Sequence, residues 1–380
     1  MMSSLNQPAS LLDMRIIASL PAHYERDILW AQKSSSYRTV LLTPNRLTVN
    51  INNVGYLLTA QQEIDISSSS PWDSAATDYT VAANRAGKDF YIYACTPSGG
   101  SAPKFVISVN STVPTGYTAS TSRKIGGFHC LCVAVGTISG HTMTGYLAGD
   151  ILPASIWDLK HRPVSSPEGM VFSEAANIWV DIYLQSGTGT STASAYGATI
   201  TDTRSWMDFV DDGGSVKKQL LTDPQFQLIA AGSNEQTSIS GSADPNTTGG
   251  HSDTAGRRMI SNIGCEDCCG AMWQWLIDQS YRFDGATSHT HTENTASSYT
   301  QNATTGAPSG DVAPSFSYRA IGGNKGQLYS QGTYGDIKLV AGASWSDSSY
   351  SGSRSRGGAR YRWLLSGAGG CRLASSPQFV

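Results

Sequence analysis

The chain has 380 residues, room for two or three domains with their own cores, and only 14% of them are charged, against about 25% in an ordinary soluble domain. Its formal net charge of -3 gives no electrostatic reason to expect a nucleic-acid partner, and no stretch reaches the roughly 18 apolar residues of a membrane-spanning helix, so membrane insertion by that route is not expected. With 39 glycines, and Ser and Thr crowding the gaps between apolar runs, the composition predicts a mainly β protein with long polar loops.

Residues 1–38 form an N-terminal segment that is the least readable part of the chain, with a strand or short helix around Asp27–Gln32 as its one candidate element. Its one apolar run, Ile16 to Leu20 after Arg15, is too short for the apolar core of a secretory signal, so no signal peptide is read. A surface-acting protein of this kind would leave the cell by another route, for example in a virus particle. From residue 39 to 150 the pattern is short β-prone runs separated by turn residues: Thr39–Leu42, Leu47–Ile51, Ile64–Ile66, Phe90–Ala94 and Lys104–Val109. Their spacing predicts an antiparallel β-sandwich or barrel. Ser155–Arg162 and the Pro-containing Pro163–Pro167 then lead into a different unit, residues 165–380.

That second unit mixes element types, which predicts a mixed α+β domain. Ile178–Leu184 reads as a strand, and Thr203–Val210 as a short helix ended by Gly213-Gly214. Thr222–Ala231 reads as a better helix, because Thr222 and Gln225 have capping-box spacing, Pro224 sits in the first turn and Gly232 closes it. Two polar stretches, Ser233–Gly256 and Gly285–Ser315, exceed a plain connection and are either disordered or part of a functional rim. Between and after them lie the apolar segments Ala271–Ile277, Ile337–Trp345 and Tyr361–Leu365. Trp273 and Trp275, two apart, share one face of a strand and read as core.

Local chemistry motifs are few. Cys265-x-x-Cys268-Cys269 with His289-x-His291 has the residue types of a tetrahedral zinc site, but the histidines lie far along a Ser/Thr tract. A reduced cluster or a single disulfide outranks zinc there, and Cys371 reads as packing. The seven cysteines are odd in number and unevenly spread, which argues against a disulfide framework. Asp211-Asp212-Gly213-Gly214 lacks the later acidic residues of a calcium loop and reads as a helix C-terminus; Arg257-Arg258 reads as solvated. No nucleophile elbow, P-loop or HExxH occurs, so no catalytic residue, metal or cofactor is assigned.

Several segments of the second half fall in the order of a known class. Asn177–Tyr183 (NIWVDIY) opens it, and Lys218–Phe226 (KQLLTDPQF) resembles the "KRLPTEAEFE" helix start of the formylglycine-generating-enzyme class of C-type lectin folds. Ala271–Trp275 is similar to its "NVWEW", Ala341–Trp345 to its "RGGSW" and Gly370–Ala374 to its "GFRLA". Within that class the chain more closely resembles the variable proteins of diversity-generating retroelements. Ile156–Pro163, Gly169-Met170 and Ser351–Arg354 are similar to a phage member, and upstream so are Ala86–Cys95, Pro114–Tyr117 and Arg123–His129, which the enzymes lack. The resemblance runs from about Asp78 to the C-terminus and implies a β-sandwich followed by a C-type lectin fold. It does not reach the first 40 residues, where the phage member carries a trimerising β-prism; a homotrimer is the family's expectation.

The enzymes need two cysteines after the motif matched by Ser344-Trp345, since a thiolate pair carries their copper. Here Ser346 and Ser351 stand at those places, and a hard, protonated hydroxyl cannot do that chemistry. An oxidase of that type is therefore an alternative reading only; a structural tail or surface protein without a ligand is another.

The segment 344–370 contains no Lys, Glu, Gln, Met, Thr, Val, Ile, Phe or Pro, and is built chiefly from Ser, Gly, Arg, Tyr, Ala and Leu with one Asp and two Trp. That is a paratope-like composition, in which Tyr and Arg give large contacts and Ser and Gly adaptable ones. The resemblance implies a variable segment about residues 344–370, mutated through adenines of a template copy, with Trp345 and Trp363 as buried framework. It assigns Ser344, Ser346, Ser348, Tyr350, Gly357, Arg360, Tyr361 and Arg362 as outward, ligand-binding positions, and Trp273, Trp275, Trp345 and Trp363 as scaffold. The leading expectation is receptor recognition at a phage tail or cell surface, with a protein or other cell-surface receptor as partner and no enzyme activity.

Overall fold

A computed structural model describes residues 30–99, 102–282 and 335–378, with the short stretches 300–301, 308–309, 318–320 and 327–329. In the first half the strands are β1 (Ala31–Gln32), β2 (Val40–Leu42), β3 (Leu47–Ile51), β4 (Val54–Leu58), β5 (Glu63–Asp65), β6 (Asp89–Cys95), β7 (Lys104–Ser108), β8 (Ser122–His129) and β9 (Trp157–Asp158). They form a three-stranded sheet β1-β2-β5, the hairpin β3-β4, and a four-stranded sheet β7-β6-β8-β9. The hairpin turns on Asn52-Asn53, both left-handed, the conformation that a two-residue hairpin turn requires and Asn tolerates.

Strand β6 explains why its sequence is apolar without a break. Phe90, Ile92 and Ala94 point into the core shared with Trp30, Leu41, Ile51 and Ile107. Tyr91, Tyr93 and Cys95, on the other face, pack with Met170 and Trp179 of the second half. Both faces are covered, so neither is polar. A one-turn helix, α1 (Ala82–Arg85), precedes it; the buried Arg85 guanidinium donates to the carbonyls of Tyr79, Thr80 and Gly149.

The second half contributes β10 (Arg162–Pro163), β11 (Met170–Ser173), β12 (Ile178–Asp181), helix α2 (Trp206–Ser215), β13 (Gln219–Leu220), helix α3 (Asp223–Ile229) and β14 (Trp273–Arg282). Then come the short β15 (Thr300–Gln301), β16 (Pro308–Ser309), β17 (Tyr318–Ala320) and β18 (Gln327–Tyr329), followed by β19 (Gly335–Gly342), β20 (Gly352–Tyr361), β21 (Gly369–Gly370), β22 (Leu373–Ser375) and β23 (Pro377–Gln378). One sheet runs β11-β12-β22-β13 and a larger one β17-β18-β20-β19-β14-β21, while β10 pairs with β23 and β15 with β16. Among the described residues no sheet joins the two halves, yet they share core: Leu131, Val135, Tyr146 and Leu152 pack with Val180, Tyr183, Phe226 and Leu276. A polar seam adds to it. His129 meets the Asp89 carboxylate at 2.9 Å and the Tyr183 hydroxyl at 3.0 Å, and Asp89 also accepts from the Gly169 amide at 3.0 Å.

Helix α3 starts at the capping box that the sequence predicted: Thr222 accepts from the Gln225 amide and Gln225 from the Thr222 amide. Helix α2 departs from expectation. It is capped by Ser205 and runs through Gly213-Gly214 instead of ending there. Gly213 answers to packing, since a Cβ would meet the Lys218 carbonyl at 3.0 Å and Leu373 at 3.2 Å. Asp212, read as part of a helix end, is buried inside the helix and accepts from the side chains of Gln185 and Arg204 and the Gly189 amide.

The second half closes on Arg372, fully enclosed. Its guanidinium donates to the carbonyls of Asp181 (2.7 Å), Ile182 and Glu266, and Nε to the Gln274 side chain at 3.3 Å. Nearby, Lys218 pairs with buried Asp181 at 2.6 Å. Arg258, expected to be solvated, is buried, and one of its guanidinium nitrogens donates to both carboxylate oxygens of Glu266, at 2.7 and 2.8 Å. The polar stretch 233–256 is ordered against this core, Ser233, Asn234, Ser238, Thr248 and Asp253 all being buried. It closes on His251, whose Nδ1 meets Asp267 at 2.9 Å. Burial pulls the His251 imidazole down, but its bond to Asp267 and the charges of Asp267 and Glu266 outweigh it and hold the group above its ordinary value. That contribution to stability is complete below the unfolded pKa of about 6.5 and is lost as pH rises through the raised folded value. Urea midpoints in wild type should therefore fall more from pH 6 to 8 than in His251→Gln; equal slopes would refute the coupling.

Candidate functional site: a hydrogen-bonded turn between two inner strands

Strands β19 and β20 pair antiparallel, and the chain between them, residues 343–351, makes the turn on which the sequence placed its binding residues. The turn is rigid for identifiable reasons. Ala343 and Ser348 both take left-handed backbone (φ 71 and 51), and residues 348–350 form one 3-10 turn. The Asp347 carboxylate accepts from the Ser344 amide at 2.7 Å and hydroxyl at 2.6 Å. From the neighbouring loop, the Ser238 hydroxyl accepts from the Ser348 amide at 2.8 Å and donates to the Ser344 carbonyl at 3.2 Å. The Gln236 amide donates to the Ser351 carbonyl at 2.8 Å, and the Trp345 amide to Ala271 at 3.0 Å.

Because the backbone turns here, the two-residue alternation expected of a strand fails. Ser346, Ser348 and Tyr350 face solvent, as does Ser349, and Tyr350 is 39% exposed. Ser344 does not: it is 3% exposed, its hydroxyl spent on Asp347. Trp345 is half-buried, lying between the clusters of Leu184, Ile200 and Met272 and of Ile239, Met259 and Ala271.

From Ser353 to Arg356 the buried side chains of β20 are polar and occupied on both faces of the strand. Ser353 donates through its amide (3.1 Å) and hydroxyl (2.7 Å) to Glu235, Ser355 to the Tyr350 carbonyl, and buried Arg356 through Nε to Asp223 at 2.7 Å with its guanidinium over the Phe226 ring. Arg354 alone of this run faces solvent, and composition gave no means of separating it from Arg356. Gly357, expected outward, is buried: a Cβ there would lie 2.7 Å from Val340 and 3.6 Å from the Trp273 ring. Gly357→Ala should cost about 1–3 kcal/mol by overpacking, read as a lowered denaturant midpoint, while Ser349→Ala should stay within about 0.5 kcal/mol. Equal stability of the two would contradict the packing.

At the far end of β20, whose first residue Gly352 lies opposite Gly342 and whose last, Tyr361, lies opposite Ile337, stand Arg360, Tyr361 and Arg362, about 17 Å along the sheet at roughly 3.3 Å per residue and all half-buried. The structure thus divides the expected single face into two patches. Arg360 lies over Trp275, 5.9 Å from its ring centre. Trp273 and Trp275 are buried with Phe209, Val340 and Leu373. Trp363, expected beneath the surface, is 63% exposed and stacks on Tyr361 with ring centres 5.2 Å apart. The reason is local: the chain bends after Tyr361, the Leu364 amide donating back to its carbonyl at 3.0 Å, and Leu364 takes the inward place beside Trp275.

All seven cysteines are buried and unpaired, Cys265, Cys268 and Cys269 among them. Among the described residues no cluster of His, Cys, Asp and Glu could hold a metal ion; His289 and His291 lie outside those residues. Ser346 and Ser351, at the places of the enzymes' cysteines, differ in setting: Ser346 is exposed, whereas Ser351 is buried 3.3 Å from the Ser238 hydroxyl.

Residues 49–158 match the family model of the Mtd second domain. The tail fiber receptor-binding protein of Bordetella phage BPP-1 is 29% identical over 305 residues, covering 74% of this chain and 69% of that protein. Among solved structures, the Major Tropism Determinant I1 variant superposes with a TM-score of 0.65 at 24% identity, over 94% of this chain and 85% of the other. The U1 variant does so with the same TM-score at 22% identity, over 96% and 88%. In fold over nearly its whole length, and in sequence over three quarters of it, the chain is major-tropism-determinant-like: mainly β, with a C-type lectin fold in its second half.

Proposed function

We propose that this protein recognises a receptor on a bacterial surface as part of a phage tail, and that it does so without catalysis. The observation that carries this reading is the turn 343–351, whose backbone is held by Asp347, Ser238 and Ala271 while Ser346, Ser348, Ser349 and Tyr350 point outward. A surface built that way can change side chains without losing its shape, because the bonds that fix it are made by the backbone and by inward groups. Residues 39–150 would act as a support and 165–380 as the presenting unit. Arg354 joins the outward set, and Arg360, Tyr361 and Arg362 form a second contact patch around the Tyr361–Trp363 stack. The curated relative's name, a tail fiber receptor-binding protein, supports the same reading.

The test is adsorption of the labelled full chain to a panel of bacterial isolates. Saturable, strain-specific adsorption should weaken by about 2 kcal/mol, roughly thirtyfold, in Tyr350→Ala. Arg46→Gln, an exposed position in the first half, should leave it unchanged. Adsorption insensitive to Tyr350→Ala and Arg354→Gln together would place recognition elsewhere.

A further inference from the structure

A groove of about 530 Å³ opens where the two halves meet, on a part of the surface to which no residue of the turn or of the Tyr361 patch contributes. Its size falls in the range of small-molecule sites, about 300–1,000 Å³. The charge of its lining is unlike that of the chain. Three of its eleven lining residues are basic and one is acidic, in a protein with 26 basic residues among 380 and a net charge of -3.

The three cations come from separate segments: Lys124 from β8, Arg162 from β10 and Lys217 from the loop after α2. Topology, not a run of basic sequence, brings them together. Lys124 is held in place by the Ser111 carbonyl at 2.9 Å and by the Tyr91 ring. The one lining carboxylate, Glu168, accepts from the Tyr91 hydroxyl at 2.7 Å. Trp157 and the prolines at 163 and 167 give the groove a firm apolar wall, and Ser166 adds an exposed hydroxyl. Cations supply the affinity for an anion, the volume exceeds what one inorganic anion fills, and the Ser166 hydroxyl and Gln378 side chain beside the cations suit the hydroxyls of a sugar.

We propose that this junction groove is a second binding site, separate from the receptor-facing turn, that takes an acidic saccharide through Lys124, Arg162 and Lys217. Such a site would give a first, weak hold on a bacterial surface that does not depend on the residues of the turn.

Titration of the full chain with glucuronic acid, glucose and inorganic phosphate, followed by calorimetry and ligand-observed NMR, tests it. Glucuronic acid should bind saturably, and glucose should not. Arg162→Gln with Lys217→Gln should weaken the binding about tenfold or more, and Tyr350→Ala should leave it intact. Since Arg162 lies in a strand that its replacement can destabilise, Lys217→Gln alone, at an exposed position, keeps the test decisive with a smaller loss. Phosphate bound as tightly as glucuronic acid, binding unmoved by the lysine and arginine variants, or no saturable binding at all would each overturn the proposal. Because the turn variant is scored separately, failure here leaves the receptor-binding reading untouched.

Discussion

Replacing Arg372 with methionine should lower the stability of the second half by about 4 kcal/mol or more. The guanidinium donates to three backbone carbonyls, those of Asp181, Ile182 and Glu266, and to the Gln274 side chain, in a site closed to water. Methionine fills much of the space but donates nothing, so the Asp181 and Glu266 carbonyls and the Gln274 side chain each lose a donor at about 1–3 kcal/mol, while the Ile182 carbonyl keeps the Glu266 amide at 2.8 Å. Lysine keeps the charge but not the planar fork, and should recover part of the loss. Against a total of roughly 5–15 kcal/mol for a typical domain, methionine removes much of the margin. Chemical denaturation of the three proteins decides the matter: a loss under about 1 kcal/mol for Arg372→Met would mean that the carbonyls find other donors.

The second large effect separates two tryptophans that the sequence treated alike. Trp275→Ala should cost about 3–5 kcal/mol, because Trp275 is buried among Phe209, Val340 and Leu373 and its loss opens a cavity. Trp363→Ala should cost less than about 1 kcal/mol, since most of that ring already faces water. For adsorption to cells the order should reverse, with Trp363→Ala losing about 2 kcal/mol as a large exposed aromatic at the contact patch. Melting and adsorption measured on the same two variants suffice. If Trp363→Ala unfolds the protein as Trp275→Ala does, the ring is framework after all and the second patch is not a contact surface.

The fold was legible where sequence pattern and local physics agree. The strand at Leu47–Ile51 has the bounds predicted, and the Thr222 capping box sits where its spacing put it. The five motif segments of the second half converge in space: Arg372 of the last reaches Asp181 and Ile182 of the first and Gln274 of the third, Lys218 of the second pairs with Asp181, and Ala341 of the fourth lies opposite Gln274. The segment proposed for binding stood out in composition, while its geometry was only partly legible. A period of two places Ser344 with Ser346 and Ser348, but left-handed backbone at Ala343 and Ser348 breaks that period, and one-dimensional pattern does not carry that information. Gly357 could not be told from the other glycines of its run, since what forbids a side chain there is Val340 on the neighbouring strand. Trp363 was taken inward because the resemblance marks it as framework of the variable segment; Leu364 won that place. The polar stretch 233–256 looked like loop because its burial is satisfied by hydrogen bonds instead of apolar contacts, as with Asn234 donating to Thr237 and Cys269.

The seven buried thiols are distributed so that they can serve as reporters of local opening. Cys95 and Cys130 lie in the first half, Cys265, Cys268, Cys269 and Cys371 in the second, and Cys132 packs at the junction, where its thiol faces Glu266 at 3.4 Å. Burial pushes the Cys95 thiol up to about 12, so little reactive thiolate exists while the fold is closed. A thiol-specific reagent should therefore label each site only as often as its surroundings open. Comparing Cys130, in the first half's own core, with Cys371 under mild denaturant then measures whether the two halves come apart together or one at a time.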